Sequence, residues 1–413
     1  MVTVKQHALG WIFFLGLGAC NVSSSPASTG GVSLDGGGDA PGGGALCPSA
    51  LVVGSTDYKS TNISVVSPTG AVLSESIISS ASAPAGLTTA LSGDVIFPLA
   101  TTPGKITLID RYPNSVITWV DPMTAAVLHQ LPVGTGFAAN PHDYVEVSDT
   151  KAYVSRYETN TKSGTEPFDG GGDLLIVNPK DVAVTGRVGF DAEGEILPRP
   201  DRMIRVGDEV WVSLDRYNAD FTMAGDARFV GISTADDTIA WTLDLAGVAS
   251  CGGIALSPSG KVVAVSCTGV LGDADPKQRS AIVLLDTTAH PPVELKRFAT
   301  ATSLGAPVGP ALAYASAGVL VGVALGDTAA KRGDAMYSLD LETGTTQMLL
   351  DAGEAFALGD LRCTPGCGDL CFLADGKEAA LRPWKVDGTS MVSQPTVSVD
   401  PTIGLPPRAI GAF

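Results

Sequence analysis

From residue 50 to near the C-terminus the chain repeats one device: a run rich in β-branched and aromatic residues, a short polar turn, and a second run of the same kind. The turns are Ser67-Pro68-Thr69-Gly70, Asp121-Pro122-Met123-Thr124, Asn178-Pro179-Lys180-Asp181, Ser233-Thr234-Ala235-Asp236, Asp286-Thr287-Thr288, Asp340-Leu341-Glu342-Thr343-Gly344 and Val386-Asp387-Gly388. Their starts lie 54, 57, 55, 53, 54 and 46 residues apart. A unit of that length makes a small four-stranded sheet that buries its faces only by stacking on neighbours. Seven in a row therefore predict a ring.

A second set of turns falls between these: Leu91-Ser92-Gly93-Asp94, Ser148-Asp149-Thr150-Lys151, Gly207-Asp208-Glu209, Ser257-Pro258-Ser259-Gly260, Ala315-Ser316-Ala317-Gly318 and Ala374-Asp375-Gly376-Lys377. They read as the inner hairpin of six units, with flanks such as Glu209-Val210-Trp211-Val212-Ser213 that favour strand. No long segment repeats its apolar residues at helical spacing, which predicts an all-β domain. The first unit begins abruptly at Leu51 without an innermost strand. Pro406-Pro407-Arg408-Ala409-Ile410 is similar to Pro200-Asp201-Arg202-Met203-Ile204, which leads into an inner strand. The expectation is a seven-bladed β-propeller over residues 49–413, closed by pairing the C-terminal strand with the first blade, which removes two exposed sheet edges. Residues 86–110 divide in more than one way, so six or eight blades stay open at this point.

Ahead of the ring, residues 1–19 read as a signal peptide: Lys5 and His7 precede an apolar run, 8–17, too short to span a bilayer. Leu17-Gly18-Ala19-Cys20 resembles a bacterial lipobox, in which the Cys20 thiol takes the lipid. Residues 20–48, rich in Ser, Gly and Pro, read as a disordered, flexible tether, because they cannot bury enough apolar surface to offset their ordering entropy. The formal charge of −17 excludes nucleic acid as a partner, since that binding relies on Lys and Arg displacing counterions. The expected membrane contact is the lipid anchor itself, on a monomer exported to the bacterial cell envelope, at the outer membrane and facing the periplasm or the cell surface.

Six further cysteines, an even number in an exported chain, predict disulfides. Cys251 and Cys267 are equidistant from Ser259 in the Pro258-Ser259-Gly260 turn, which predicts a bridge across that hairpin. The segment 367–377 aligns without gaps on 251–261, but Pro383 stands where Cys267 would be. Cys363-Thr364-Pro365-Gly366-Cys367 carries a turn that brings Cys363 to Cys367, which leaves Cys47 and Cys371 to pin the seam.

The turns Asp375-Gly376-Lys377 and Ser257-Pro258-Ser259-Gly260-Lys261, each before a short β run, resemble those of YVTN/YncE-like propellers of exported bacterial proteins. The resemblance spans residues 50–410 and implies the fold. Relatives include surface-layer adhesion proteins, a DNA-binding periplasmic protein and lactonase-like enzymes. The Tyr-Val-Thr-Asn signature is absent, its nearest trace being Tyr153-Val154-Ser155-Arg156.

Propeller ligands bind at the channel mouth, on the face shared by the links between blades and those joining second and third strands. The first class holds Asn140-Pro141-His142-Asp143 and Arg199-Pro200-Asp201-Arg202. The second holds three Arg-Tyr pairs: Arg111-Tyr112, Arg156-Tyr157 and Arg216-Tyr217. Arg offers a planar fork of donors and Tyr a flat amphipathic ring, a combination suited to carboxylates or sugars. Of four histidines only His142 faces a pocket, with Asp143 beside it as the one candidate general-base pair. No cofactor is expected; the loop 168–173 brings Asp169 and Asp173 to the one place where calcium could be held, without the alternating ligands of a known calcium loop. There is no Gly-x-Ser-x-Gly elbow, zinc-binding His-Glu-x-x-His or phosphate-binding loop. The favoured function is non-enzymatic: a lipid-anchored module that binds an envelope protein, peptide or saccharide. The alternative is a lactonase-like hydrolase using His142 and Asp143 or a loop-bound metal.

Overall fold

Each strand near the middle of a unit is apolar on both sides, and the computed structural model, which describes residues 47–413, shows why. Seven four-stranded antiparallel sheets stand around a central channel. Their innermost strands are Pro407–Ala412, Val95–Ile96, Pro141–Ser148, Pro200–Val206, Gly253–Leu256, Val308–Ser316 and Leu358–Cys363, for blades 1 to 7 in turn. These strands pack on one another around the axis. One short helix, Thr300–Leu304, and one 3-10 turn, Pro276–Arg279, are the helical elements among the described residues.

The core is divided into seven layers, one between each pair of blades. In strand Leu51–Thr56, Leu51 and Val53 join Phe372 and Leu381 of blade 7, while Val52 packs with Phe97 and Leu108 of blade 2. Strand Val262–Cys267 divides likewise, Val263 and Val265 toward Trp211 of blade 4 and Ala264 toward Tyr337 of blade 6. The period-2 alternation of a strand thus serves two interfaces at once. Each buried Val, Leu or Phe contributes about 1.5–3 kcal/mol, and only while its neighbouring blade is in place.

Ring closure follows the expected route. Strand Pro407–Ala412 pairs antiparallel with Leu51–Thr56, in the register Leu51 to Ala412 and Val53 to Ile410. Phe97 of blade 2 lies against this pairing so closely that a Cβ on Gly411 would come within 2.5 Å of the Phe97 Cβ. From blade 7, Arg362 donates to the carbonyls of Ile410 at 2.9 Å, Pro98 at 2.7 Å and Leu99 at 2.6 Å, tying blades 7, 1 and 2.

All seven outer turns lie where the sequence places them, between third and fourth strands, but two of the six inner turns do not. Residues 91–94 form the link from blade 1 into blade 2, whose inner strand is only Val95–Ile96; the inner hairpin turn follows it, before strand Ile106–Asp110. Residues 374–377 join the second and third strands of blade 7, Leu370–Asp375 and Ala380–Asp387, and its inner turn is 364–369.

That shift re-pairs two disulfides. Cys363 and Cys371 stand directly opposite in the ladder and are bonded, and Cys367, at the tip of the turn between them, bonds to Cys47. Neither Cys363 with Cys367 nor Cys47 with Cys371 forms. The alignment of 367–377 on 251–261 matched a turn and second strand to an inner strand and its turn. Cys251–Cys267 forms as expected, although the ladder pairs Gly253 with Ser266, one residue off the symmetric register.

Cys47–Cys367 spans 320 residues, against 8 for Cys363–Cys371. Chain entropy makes the longer closure worth about 3 kcal/mol more. Urea unfolding of Cys47→Ala/Cys367→Ala should therefore show the larger loss of stability, compared with Cys363→Ala/Cys371→Ala. Equal losses would mean that strand pairing alone holds the seam.

Candidate functional site

Where the seven inner strands begin, the links between blades and the links between second and third strands surround the channel mouth. A cavity of about 310 Å³ opens there, lined among others by Tyr58, Asp94, Arg111, Arg202, Asp360 and Arg408. Arg202 and Arg408 occupy corresponding places, each just inside the inner strand of its blade, which is the similarity between 200–204 and 406–410 already visible in the sequence.

The three arginines that line this mouth differ in what holds them. Arg111 is bound to Asp94, Nη2 at 2.5 Å and Nε at 3.0 Å. Arg362, farther along the blade 7 inner strand and outside the cavity lining, is spent on the three seam carbonyls. Arg202 donates to the carbonyls of His142 at 3.1 Å and Phe97 at 3.3 Å, with Asp143 only at 4.0 Å. Burial opposes its charge, but Asp143, Asp360 and Asp201 together hold its pKa above the ordinary value. Arg408 donates from Nη1 to the carbonyls of Phe356 at 2.6 Å and Ala357 at 3.2 Å, its buried Nε has no partner, and no carboxylate lies within 4.0 Å of it among the described residues.

His142 stands near the start of the blade 3 inner strand, outside the lining of this cavity, and its partner is Asp201 of the next blade. Nδ1 lies 2.6 Å from Asp201 Oδ1, and the ring stacks on Tyr157 with centroids 4.2 Å apart. Burial lowers the His142 pKa more than Asp201 raises it, so the ring is held neutral. Burial likewise disfavours the Asp201 carboxylate, yet the His142 hydrogen bond and the nearby guanidiniums outweigh it and keep that acid ionised. Asp143 cannot share this work. It is fully buried and accepts the backbone amides of Leu99 at 3.0 Å, Tyr144 at 2.9 Å and Met203 at 2.8 Å, clamping blades 2, 3 and 4. Tyr157 in turn donates to Asp215 at 3.1 Å, whose pKa burial and the Asp201 charge push well up. Nε2 of His142 makes no hydrogen bond to a described residue, and the side chain keeps 15% exposure.

The three Arg-Tyr pairs are not three copies of one surface. Arg156 is fully buried, with Nε and Nη2 each 2.7 Å from the Asp173 carboxylate. Arg216 is largely enclosed and bound to Glu193 at 2.5 Å. Tyr157 and Tyr217 are buried, so Tyr112 alone of the three rings is presented to solvent. Asn140 turns the chain with φ 50° into blade 3, and its carbonyl accepts the Tyr157 amide. Asp173, one of the two acids considered for calcium, also receives Arg187 at 3.3 Å, and Asp169 accepts the Gly164 amide. Among the described residues no three His, Cys, Asp or Glu are grouped to hold a metal ion. Cys20 lies outside the described residues.

Sequence reasoning placed Asp201 on this face only as part of Arg199-Pro200-Asp201-Arg202, gave it no role, and did not single out Asp215, Asp360 or Arg408 as site residues. Their shared signal is position: each stands at the channel end of a first or second strand.

No protein-family description matches the chain, and no curated protein matches its sequence. Solved structures do share its fold. A protein from Lactobacillus plantarum superposes with TM-score 0.58 at 11% identity, over 89% of this chain and all of that one. A candidate 6-phosphogluconolactonase from Bacteroides fragilis gives 0.55 at 11%, over 88% and 97%. The periplasmic gluconolactonase of Pseudomonas aeruginosa gives 0.54 at 12%, over 88% and 98%. At these identities the likeness is one of architecture.

Proposed function

We propose that the chain is an extracytoplasmic binding propeller whose channel mouth takes a small ligand bearing a carboxylate. The observation behind this reading is Arg408: a partly buried guanidinium that lines a cavity, holds only carbonyls and lacks an acid. A bound carboxylate would supply the bidentate partner whose absence costs desolvation energy. Sugar acids are the natural first probes, because propellers of this architecture include gluconolactonases. Three disulfides suit an oxidising compartment. In calorimetry with gluconate or glucuronate, Arg408→Ala should weaken binding at least tenfold. Unchanged affinity would remove Arg408 from the site.

A second reading, hydrolysis of a lactone or ester, is favoured by the His142–Asp201 pair. Asp201 fixes the proton on Nδ1, leaving Nε2 to take a proton from a water as that water's oxygen attacks the carbonyl. The proton then returns to the leaving alkoxide. Because a neutral ring is required and burial lowers its pKa, the acid limb of kcat/KM should fall below the ordinary histidine value near 6.5. His142→Ala should reduce turnover on a lactone panel by about 10²–10⁴-fold. Turnover that survives this substitution would overturn the role.

The lipobox supports placing this domain on a lipid anchor at Cys20, in the cell envelope. Cys20→Ala should move the protein from the membrane to the soluble fraction; retention in the membrane would refute the anchor.

A further inference from the structure

Exposed aromatic rings are confined to one face of this ring. Among the described residues four aromatic side chains are exposed: Tyr58 at 56%, Tyr112 at 64%, Phe221 at 48% and Phe356 at 79%. The first three stand in links between second and third strands of blades 1, 2 and 4, and Phe356 stands in the link from blade 6 to blade 7. All four links belong to the face where the cavity opens.

Three of the four are also held in a conformation that bulky residues avoid. The φ angles of Tyr58, Phe221 and Phe356 are 65°, 60° and 61°. Glycine or asparagine occupies the left-handed region at least cost, whereas a large side chain there is an outlier of order 1–3 kcal/mol. The Phe221 ring recovers part of that by packing on Arg199 and beside Tyr217, whereas Tyr58 and Phe356 turn more than half of their surface to solvent. Aromatic residues at two such positions, Tyr58 and Phe356, with most of each ring open on one face, point to an external use.

Tyr58 itself lines the cavity with Arg111, Arg202 and Arg408. The carbonyl of Phe356 is the one that Arg408 Nη1 holds at 2.6 Å, and the Tyr112 amide points to Asp94, another cavity wall, at 3.4 Å. Phe221 lies across the mouth, its ring 3.9 Å from the Arg199 guanidinium.

We infer that this aromatic crown binds an acidic oligosaccharide carrying a single carboxylate, with the acid in the cavity on Arg408 and the adjoining sugar rings on Tyr58 and Phe356. The inference rests on the carboxylate-binding reading above and names its ligand class. Flat, amphipathic ring faces match the C–H faces of pyranoses, and Asp94 and Asp360 offer acceptors to hydroxyls. The cavity, at the small end of the about 300–1,000 Å³ of ligand sites, suits one terminal unit, and the crown extends the contact outward. A polyanion is disfavoured by the net charge of −17. A protein partner is less suited, because Asp57, Asp94 and the cavity interrupt any continuous apolar patch.

The test is calorimetry on the purified protein with glucuronate, a glucuronate-terminated disaccharide and its neutral counterpart. The acidic disaccharide should bind at least tenfold tighter than glucuronate. Phe356→Ala should abolish that advantage while leaving glucuronate affinity unchanged, Phe356→Trp should keep it, Tyr58→Ala should weaken the disaccharide more than glucuronate, and Arg408→Ala should weaken both acidic ligands. Thermal melts of each variant exclude misfolding as the cause. Full disaccharide affinity in both aromatic variants, with glucuronate still bound, overturns the crown and spares the carboxylate site. Absence of glucuronate binding sinks that earlier reading. Equal affinity for the neutral disaccharide, or self-association lost in Tyr58→Ala and Phe356→Ala without sugar binding, overturns the ligand class.

Discussion

A blade of this protein has no inside of its own. Its middle strands are apolar on both faces, so each sheet is stable only between two others, and the first and last blades must therefore find each other. Ring closure is the constraint from which the rest follows. It is met three times at one seam: by the pairing of Pro407–Ala412 with Leu51–Thr56, by Arg362 reaching three carbonyls, and by Cys47–Cys367. The backbone, a partly buried cation and a covalent bond act together at the same joint.

The channel mouth inherits its chemistry from that geometry. Seven inner strands converge there, and polar groups at their ends must either be satisfied across blades or face the cavity. Asp143 takes the first course, spending its carboxylate on three amides from three blades. Arg408 takes the second. The same crowding brings His142 to Asp201 of the next blade rather than to its sequence neighbour, because adjacent residues on a strand point to opposite sides.

Local turn chemistry located strands well and ranked them less well. Ser-Gly-Asp at 92–94 and Asp-Gly-Lys at 375–377 carry hairpin signatures, yet the first leads between blades and the second joins a second strand to a third. A turn motif specifies how the backbone reverses, not which neighbours the reversing strands will have. The disulfide pattern was misread for the same reason, since it depends on which hairpin holds Cys363 opposite Cys371. The Arg-Tyr repeats show the limit most clearly: three similar dipeptides lie at comparable strand ends, and a buried acid, Asp173, and an exposed one, Glu193, decide that two of the arginines are structural.

What the sequence determined by itself was the repeat, its β character and the need for the C-terminal strand to complete the first blade, because periodicity and two-sided apolar runs are local properties of the chain; seven blades was its expectation, and the structure settled the count against six or eight. The tertiary structure alone decided which cysteines meet, which acid orients His142, and which arginine lining the mouth is left without a carboxylate. The His142–Asp201 pair and the Cys47–Cys367 bridge join residues 59 and 320 positions apart, which only the packing of blades around the ring brings together.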